Sequence, residues 1–329
     1  MPGHRGDPSM RGLSSPLRAI LVLGCWPRTT AYGLTATVST PRRRRAVLCS
    51  LAGVQPALFA NAFSFSLADG LCTAVELPGD LAVTSSPAVD ELHPRERDLL
   101  ADMQPHRQLT YAGGRIAIRR ALKAIGAEAA ASEAVLSGST GAPTIFDGAL
   151  GSISHTSGLA AAFVRPLPHE RRRAGSRATS LQAVGIDVER TTRAVPLKLA
   201  SRVLSEHERG TLGHALGLPA DADLLLRISL KEALYKALHP LVRRPIRWHS
   251  VQVHPSMDGS CRVDTSMLED QVAMQLVADA SWRVCGEYYV STATVCAPSG
   301  DTGVVSPTKT RAGSGRDADD KAWPRARLS

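Results

Sequence analysis

The sequence of 329 residues lacks the signatures of several common types of site. Its six cysteines are scattered and include no C-x-x-C pair, which argues against structural zinc, and they are too few for a disulfide-stabilised secreted scaffold. No G-x-x-x-x-G-K-[ST] segment is present, which argues against a P-loop nucleotide enzyme. The apolar runs are shorter than the roughly 20 residues that a membrane-spanning helix needs. A globular protein without a permanent membrane anchor is therefore expected.

Acidic residues are nearly absent from the first 65 residues, which carry eight arginines and a single acid, Asp7. This composition is typical of an organellar targeting leader, and a plastid is the expected destination, with the cytoplasm or the mitochondrion as alternatives. A disordered extension or a misplaced start codon is the other interpretation of this segment. Basic and acidic residues are equal in number between residues 66 and 299, so the formal charge of +9 comes from the two ends of the chain. Nucleic-acid binding through bulk charge is therefore not expected.

The sequence pattern after residue 65 alternates between strand-like and helix-like segments, so the folded body is predicted to begin there. Residues 165–182 are rich in Arg, Pro and Ser and are predicted to form an exposed basic insertion between two strands. The composition of residues 298–329 predicts a disordered tail.

Two helices are predicted early in the folded body. The first is expected to be capped by Asp90. The second covers Gly114–Ile125 and places Arg115, Arg119 and Lys123 on the side opposite its apolar residues. That basic side is either a solvated surface or a ligand-binding face, and the spacing alone does not separate the two.

Two acidic residues lie close together in Gly185-Ile-Asp-Val-Glu189, at the end of an apolar strand. Because side chains alternate along a strand, Asp187 and Glu189 are predicted to share one face and Ile186 and Val188 the other. Two neighbouring carboxylates repel one another unless a cation lies between them, and oxygen ligands without His or Cys suit Mg²⁺. The alternative is a pair of solvated acids at a strand end.

The segment from Ser229 to Leu238, with the sequence SLKEALYKAL, is strongly helical. Its helical spacing predicts an apolar stripe on one side and four polar or aromatic residues on the other: Glu232, Tyr235, Lys236 and His239. A carboxylate and an ammonium group one turn apart can serve as a metal ligand and a phosphate contact. The alternative is an ordinary Glu to Lys helix pair.

Hydroxyl groups and an imidazole cluster in Ser152-Ile-Ser154-His155-Thr156, immediately before a predicted buried strand. We predict a turn that donates several hydrogen bonds to a phosphate group. A satisfied turn histidine is the plain alternative. The glycines of a nucleophile elbow are missing, so Ser154 is not expected to be an acylating serine.

In chain order, the segments G-S-I-S-H-T, V-G-I-D-V-E and S-L-K-E-A-L-Y-K-A resemble the motif set of the 4'-phosphopantetheinyl transferases, specifically the two-lobed surfactin-synthetase and enterobactin-synthetase type. The resemblance covers roughly residues 90–255. It implies an α+β fold, a pseudo-dimer of two similar α/β lobes with the active site in the cleft between them. The lobes would span residues 66–183 and 184–297.

The activity implied by the resemblance is transfer of 4'-phosphopantetheine from coenzyme A to a serine of an apo acyl or peptidyl carrier protein, with release of 3',5'-adenosine diphosphate. Mg²⁺ is the implied cofactor, and Asp187, Glu189 and Glu232 are its implied ligands. The carrier protein is the expected partner, and a monomer that binds neither nucleic acid nor membrane is expected. The alternative function is a non-catalytic module of the same fold that binds coenzyme A or the carrier.

The remaining site residues are also assigned by the resemblance. Arg119 is expected to bind the 3'-phosphate of coenzyme A together with Ser154 and His155. Lys236 is expected to contact the pyrophosphate and stabilise the leaving group, and Glu232 is the expected general base, directly or through a metal-bound water.

The sequence departs from the family pattern at three positions near these motifs. Ala142 stands where members often have the lysine of G-K-P, and Phe146 stands where a second proline is common. Both departures bear on contacts to coenzyme A. Ile228 replaces a frequent aromatic residue and is expected to affect packing only.

Overall fold

The computed structural model describes residues 59–68, 70–79, 87–138, 141–145, 148–167, 182–268 and 276–296. These residues form two antiparallel sheets, one short strand pair and two long helices. The mixture of helices with antiparallel sheets confirms the α+β class. No helix in the described part of the chain is both long and apolar enough to span a membrane.

The first sheet has four antiparallel strands in the order β1-β2-β6-β5. Its strands are β1 (Asn61–Leu67), β2 (Gly70–Glu76), β5 (Ala149–Thr156) and β6 (Leu159–Pro166). A 3-10 turn and three helices lie between β2 and β5: Pro87–Glu91, α1 (Pro94–Ala101), α2 (Pro105–Ala124) and α3 (Glu128–Ser132). They are followed by the short pair β3 (Leu136–Ser137) and β4 (Pro143–Thr144).

The second sheet has five antiparallel strands in the order β7-β11-β10-β9-β8. Its strands are β7 (Gln182–Arg190), β8 (Gln252–Pro255), β9 (Ser260–Asp264), β10 (Val277–Cys285) and β11 (Tyr288–Cys296). The helices between β7 and β8 are α4 (Ala200–Val203), α5 (Glu206–Gly210) and the 23-residue α6 (Ala220–Val242), with 3-10 turns at Leu197–Leu199 and Trp248–Ser250. Since β7 begins at Gln182, the lobe boundary predicted between residues 183 and 184 falls inside this strand.

Three clusters of buried side chains hold these layers together. One lies between α2 and the first sheet, and a second lies between α6 and the second sheet. The third joins the two sheets and includes Val184, Ile186 and Val188 of β7. The alternation predicted for this strand is therefore confirmed, because its even-numbered side chains pack towards the first sheet.

The fold begins earlier than the sequence analysis predicted. Strand β1 pairs with β2 from Asn61 onward, and Phe59 is buried in the first core. Residues 59–65 therefore belong to the folded body, and the leader boundary at residue 65 is placed too late. The rest of the predicted leader, most of the 165–182 insertion and the 298–329 tail lie outside the described residues.

Helix α1 is capped by His93 and not by Asp90. The His93 side chain accepts a hydrogen bond from the Arg95 amide, and Glu96 accepts one from the His93 amide, which completes a capping box. Asp90 instead lies within the preceding 3-10 turn and pairs with Arg97 at the surface. The prediction chose a common capping residue and missed the less common imidazole cap.

Candidate active site

Strand β7 presents Asp187 and Glu189 towards helix α6, on the face opposite the inter-sheet core. Helix and strand lie in backbone contact at Gly185, where an added Cβ would lie 1.9 Å from the carbonyl oxygen of Ala233. Any larger residue at position 185 would push the helix away. The glycine before the acidic pair therefore sets how near α6 approaches the carboxylates.

Lys236 of α6 spans the gap between the helix and both sheets. Its ammonium donates to Asp187 Oδ1 at 2.9 Å, to Ser154 Oγ at 2.9 Å and to the Ile186 carbonyl at 2.8 Å. Ser154 in turn donates to Asp187 Oδ1 at 3.0 Å. The structure thus brings together three of the predicted site residues, one from each of β5, β7 and α6.

The carboxylates of this cluster are incompletely neutralised. Asp187 Oδ2 is buried and accepts no hydrogen bond within the described residues. Glu189 pairs with Arg193, yet burial raises the pKa of Glu189, and the charge of Asp187 raises it further. The two acids are therefore close enough, as the sequence predicts, for the charge of Asp187 to affect the ionisation of Glu189.

Strand β5 carries the serines that the sequence analysis placed in a turn, and that prediction is wrong. Residues 149–156 pair with β6 along their whole length. Ser152 and Ser154 lie on the same side of the strand and face β7, where Ser152 Oγ accepts from the Ile186 amide at 3.2 Å. These hydroxyls join the two sheets, and no open phosphate-binding turn is formed here.

His155 lies on the other side of β5, beside helix α2, and is only partly enclosed. Its Nε2 lies 3.4 Å from a guanidinium nitrogen of Arg107, in the first turn of that helix. Partial burial, followed by the nearby cations Arg107 and Lys236, lowers the pKa of His155 to about 4. At neutral pH the imidazole is therefore neutral, and its positive neighbours are suited to an anionic ligand.

A cavity of about 720 Å³ adjoins this cluster. Its walls come from the β3–β4 segment, from β5, from the start of β7 and from the last turns of α6. The polar and charged side chains on its wall include Arg107, Gln182, Tyr235, Lys236 and His239. Tyr235 and His239 stack with ring centroids 5.0 Å apart, which gives one wall an aromatic surface. The volume suits a cofactor-sized ligand.

Ala142 lines the same cavity, so the missing family lysine leaves this wall without a positive charge. Phe146 lies outside the described residues. Arg107 also lines the cavity and supplies a guanidinium group there. Arg107 was not predicted from the sequence because it lies in the first turn of α2, seven residues before Gly114, where the predicted helix begins.

Arg119 does not join the cluster. Its guanidinium is 4% exposed and pairs with the fully buried carboxylate of Glu96 at 2.6 Å, and it also donates to the Ala131 carbonyl. Glu96 accepts a further hydrogen bond from the Val135 amide. These contacts tie α1, α2 and the segment after α3 together, so this placement gives no support to a phosphate-binding role for Arg119.

Glu232 lies one helical turn before Lys236 on α6 and is half-buried on the same side of the helix. The apolar stripe predicted for this helix is confirmed, since Leu230, Leu234 and Ala237 are fully buried. Within the described residues, no group of three or more His, Cys, Asp or Glu side chains converges as a metal site. The three-carboxylate ligand set therefore stays a prediction.

Two family models match the chain. Residues 95–165 match the 4'-phosphopantetheinyl transferase N-terminal domain, and residues 183–293 match the 4'-phosphopantetheinyl transferase superfamily. The chain belongs to the 4'-phosphopantetheinyl transferases. It is an enzyme that transfers the phosphopantetheine group of coenzyme A. The surfactin-synthetase and enterobactin-synthetase type stays a prediction.

Solved structures similar to this transferase include two bacterial synthases. A holo-(acyl-carrier-protein) synthase from Bacillus anthracis in complex with CoA (3',5'-ADP) is 21% identical, with 35% of this chain and 95% of that chain covered and a TM-score of 0.27. The Chronobacterium ammoniagenes ACPS–CoA complex is 19% identical, with 36% and 98% covered and a TM-score of 0.29. A search of curated proteins gave no significant match. The family assignment therefore rests on the two family models.

Proposed function

We propose that the cleft between β5, β7 and α6 is where this transferase moves phosphopantetheine from coenzyme A to a carrier-protein serine, and that it does so with Mg²⁺. The observation that carries the proposal is the Lys236–Asp187–Ser154 cluster at the edge of the cavity. It combines an ammonium group, a buried carboxylate oxygen that has no partner among the described residues, and adjoining room for a ligand.

The donor set suits Mg²⁺. Asp187 Oδ2 is buried and has no hydrogen-bond partner in the part of the chain that the structure describes, and Glu189 has a raised pKa because burial and a second carboxylate disfavour its charge. A divalent cation held by oxygen ligands would relieve both conditions. Asp187 and Glu189 would hold the ion, with Glu232 contributing from α6. When bound, Mg²⁺ would neutralise charge on the pyrophosphate of coenzyme A.

The transfer itself is a substitution at phosphorus. The carrier serine oxygen forms a bond to the β-phosphorus of coenzyme A, and the anhydride bond breaks, so that 3',5'-adenosine diphosphate leaves with the electron pair. We assign Glu232 as the base that takes the serine proton. We assign Lys236 to the negative charge that develops on the leaving pyrophosphate oxygen, which requires its ammonium to turn from Asp187 towards the cavity.

Arg107 and His155 are the residues that the geometry favours for the 3'-phosphate, in place of Arg119. Both lie at the α2 side of β5, and Arg107 lines the cavity. An always-charged guanidinium and a neutral imidazole that can donate one hydrogen bond suit a dianionic phosphate. This pair would also offset the lysine that Ala142 replaces.

The partner class and the cellular location extend the proposal. An acyl or peptidyl carrier protein is the acceptor, because the reaction needs a serine on an apo-carrier. The arginine-rich leader supports a plastid location. A fluorescent reporter fused behind residues 1–58 tests whether this segment directs a protein to the plastid, and a reporter that stays in the cytosol contradicts the proposed location.

A transfer assay tests the proposed site. Purified protein is incubated with coenzyme A and an apo-carrier, and the mass gain of the carrier is followed with Mg²⁺ or with EDTA. EDTA and the change Asp187→Asn should each lower the rate by about a hundredfold or more. Asp258→Asn, at an exposed turn between β8 and β9, is the matched control and should behave as wild type.

Two results would contradict the proposal. Full activity in EDTA would show that the reaction does not need the metal. Near wild-type activity of an Asp187→Asn, Glu232→Ala double variant would show that it does not need these carboxylates. Binding of coenzyme A without any transfer to the apo-carriers of fatty-acid, polyketide and peptide synthases would favour the non-catalytic alternative.

A further inference from the structure

Arg190 ends strand β7, directly after Glu189, and holds three segments together. One guanidinium nitrogen donates to the Ser157 carbonyl at 3.4 Å and to the Tyr288 hydroxyl at 3.2 Å. The other contacts Glu287 at 3.2 Å. The Tyr288 hydroxyl also lies 3.4 Å from the Ser157 carbonyl, so the two side chains converge on one acceptor.

The strand alternation places this contact behind the site. Asp187 and Glu189 face α6, whereas Arg190 continues the even-numbered row of Ile186 and Val188 that packs against the first sheet. Tyr288 is the register partner of Arg190 on β11 and contacts the same core. Arg190 and Tyr288 therefore close one end of the core between the two sheets.

The Ser157–Gly158 turn is shaped to receive them. It joins β5 to β6, and Gly158 has a φ of +80°, a conformation that favours glycine. A Cβ on Gly158 would lie 3.3 Å from both Arg190 Nη2 and the Tyr288 hydroxyl, which leaves little room for a side chain. The same turn follows His155 by two residues.

We infer that Arg190 and Tyr288 form a latch, defined as their joint contact with the Ser157 carbonyl, and that the latch positions His155 relative to Glu189. Arg190 is covalently next to the proposed metal ligand, and its acceptor is two residues from the proposed phosphate contact. The latch thus fixes the distance between the two ends of the coenzyme A site. Arg190 acts through these neighbours as a positioning residue, and the inference rests on the site assignments of the proposed function.

Three variants test the latch: Arg190→Ala, Arg190→Lys and Tyr288→Phe. Arg97→Ala is the matched control, because Arg97 is similarly exposed (41% against 37%) and pairs with Asp90 at 3.4 Å, and neither of these two residues lines the cavity. The readouts are the dissociation constant for coenzyme A by calorimetry without carrier, the kcat and KM of transfer, and the melting temperature.

Arg190→Ala should weaken coenzyme A binding and lower kcat/KM by about tenfold, on the scale expected for misplaced site groups. Arg190→Lys should recover part of this loss, because lysine keeps the charge, but its single nitrogen cannot replace the two separate guanidinium nitrogens that contact Ser157 and Glu287. Tyr288→Phe should have a smaller effect that does not multiply with that of Arg190→Ala, as expected for two residues with one acceptor. Arg97→Ala should leave binding unchanged.

The inference is overturned if Arg190→Ala binds coenzyme A as tightly as Arg97→Ala does, or if the two effects multiply as independent changes. It is also overturned if Arg190→Ala is defective while His155→Ala is fully active, because the latch would then act through another residue. Asp187→Asn is measured in the same series. If Asp187→Asn is inactive while Arg190→Ala behaves as Arg97→Ala does, the latch fails and the proposed function stands. If Asp187→Asn is fully active, the proposed function fails.

Discussion

Helix α6 carries two lysines five residues apart that resemble one another in contacts and differ in surroundings. Lys231 donates to Glu208 at 2.9 Å and to the carbonyls of Val203 and Trp248, and neither member of its ion pair is exposed. Lys236 also has three acceptors, but its side chain is 28% exposed and lines the cavity. Both are lysines of the K-E-A-L-Y-K segment.

The difference lies in how completely the partner carboxylate is satisfied. Both oxygens of Glu208 accept hydrogen bonds, from Lys231, from the Ser205 amide and from the Val253 amide. Asp187 has one oxygen that accepts none within the described residues. A fully satisfied, fully enclosed pair stabilises the fold, whereas a partly satisfied pair beside open space is available to a ligand.

Exchanging each lysine for methionine is the strongest way to break this comparison. Lys231→Met leaves the Glu208 carboxylate buried without its cation and should lower the free energy of unfolding by about 3–5 kcal/mol. Lys236→Met should change that free energy by only about 1 kcal/mol but lower the transfer rate by about a hundredfold. Urea denaturation and initial rates measure the two effects. A stable but inactive Lys231→Met protein would contradict the structural role that we assign to Lys231.

A second contrast concerns two arginines of helix α2. Arg107→Ala should raise the KM for coenzyme A by about tenfold or more, because one charge-assisted hydrogen bond contributes about 1.5–3 kcal/mol. Arg119→Ala should leave the KM near wild type and destabilise the protein, since Glu96 loses its buried partner.

The donor 3'-dephospho-coenzyme A sharpens this experiment, because the Arg107→Ala penalty should disappear when the 3'-phosphate is absent. A penalty that persists with this donor would place Arg107 elsewhere in the site. A selective KM defect in Arg119→Ala would restore the assignment made from the sequence.

The smallest expected effect concerns the pH dependence of His155. Its folded-state pKa of about 4 lies below the ordinary value of 6.5, so the folded protein binds fewer protons and loses stability as the pH falls from 6.5 towards 4. The loss should be slight, since the residue is only partly enclosed and solvent screens its charge. An NMR titration, assigned with His155→Asn, should show no midpoint near 6.5, and Arg107→Ala should raise the midpoint. A wild-type midpoint at 6.5 would contradict the geometry of this pair.

The sequence predicted those parts of the site in which local periodicity determines orientation. Strand alternation correctly separated Asp187 and Glu189 from Ile186 and Val188, and helical spacing correctly placed Lys236 opposite the apolar stripe. Both predictions need only the geometry of one element, so no knowledge of its neighbours was required.

The roles of Arg119 and Ser154 depend on contacts between distant segments, and periodicity does not reveal these. Arg119 lies 23 residues from its partner Glu96, and Ser154 lies 82 residues from Lys236. A basic helix side and a serine-rich segment have the same appearance in sequence whether their partners are a ligand or another part of the chain. The early start of the fold was missed for the same reason, because β1 is recognisable only beside β2.

The contact between Gly185 and Ala233 determines which changes the catalytic geometry can tolerate. Where a helix packs against side chains, a substitution that changes their size shifts the helix slightly, and distances across the interface change with the shift. Here the main chain of Gly185 contacts the main chain of Ala233, and no substitution can make either of these backbone surfaces smaller. The spacing between the acidic strand and the lysine helix therefore has a lower limit that substitutions elsewhere in the core cannot reduce.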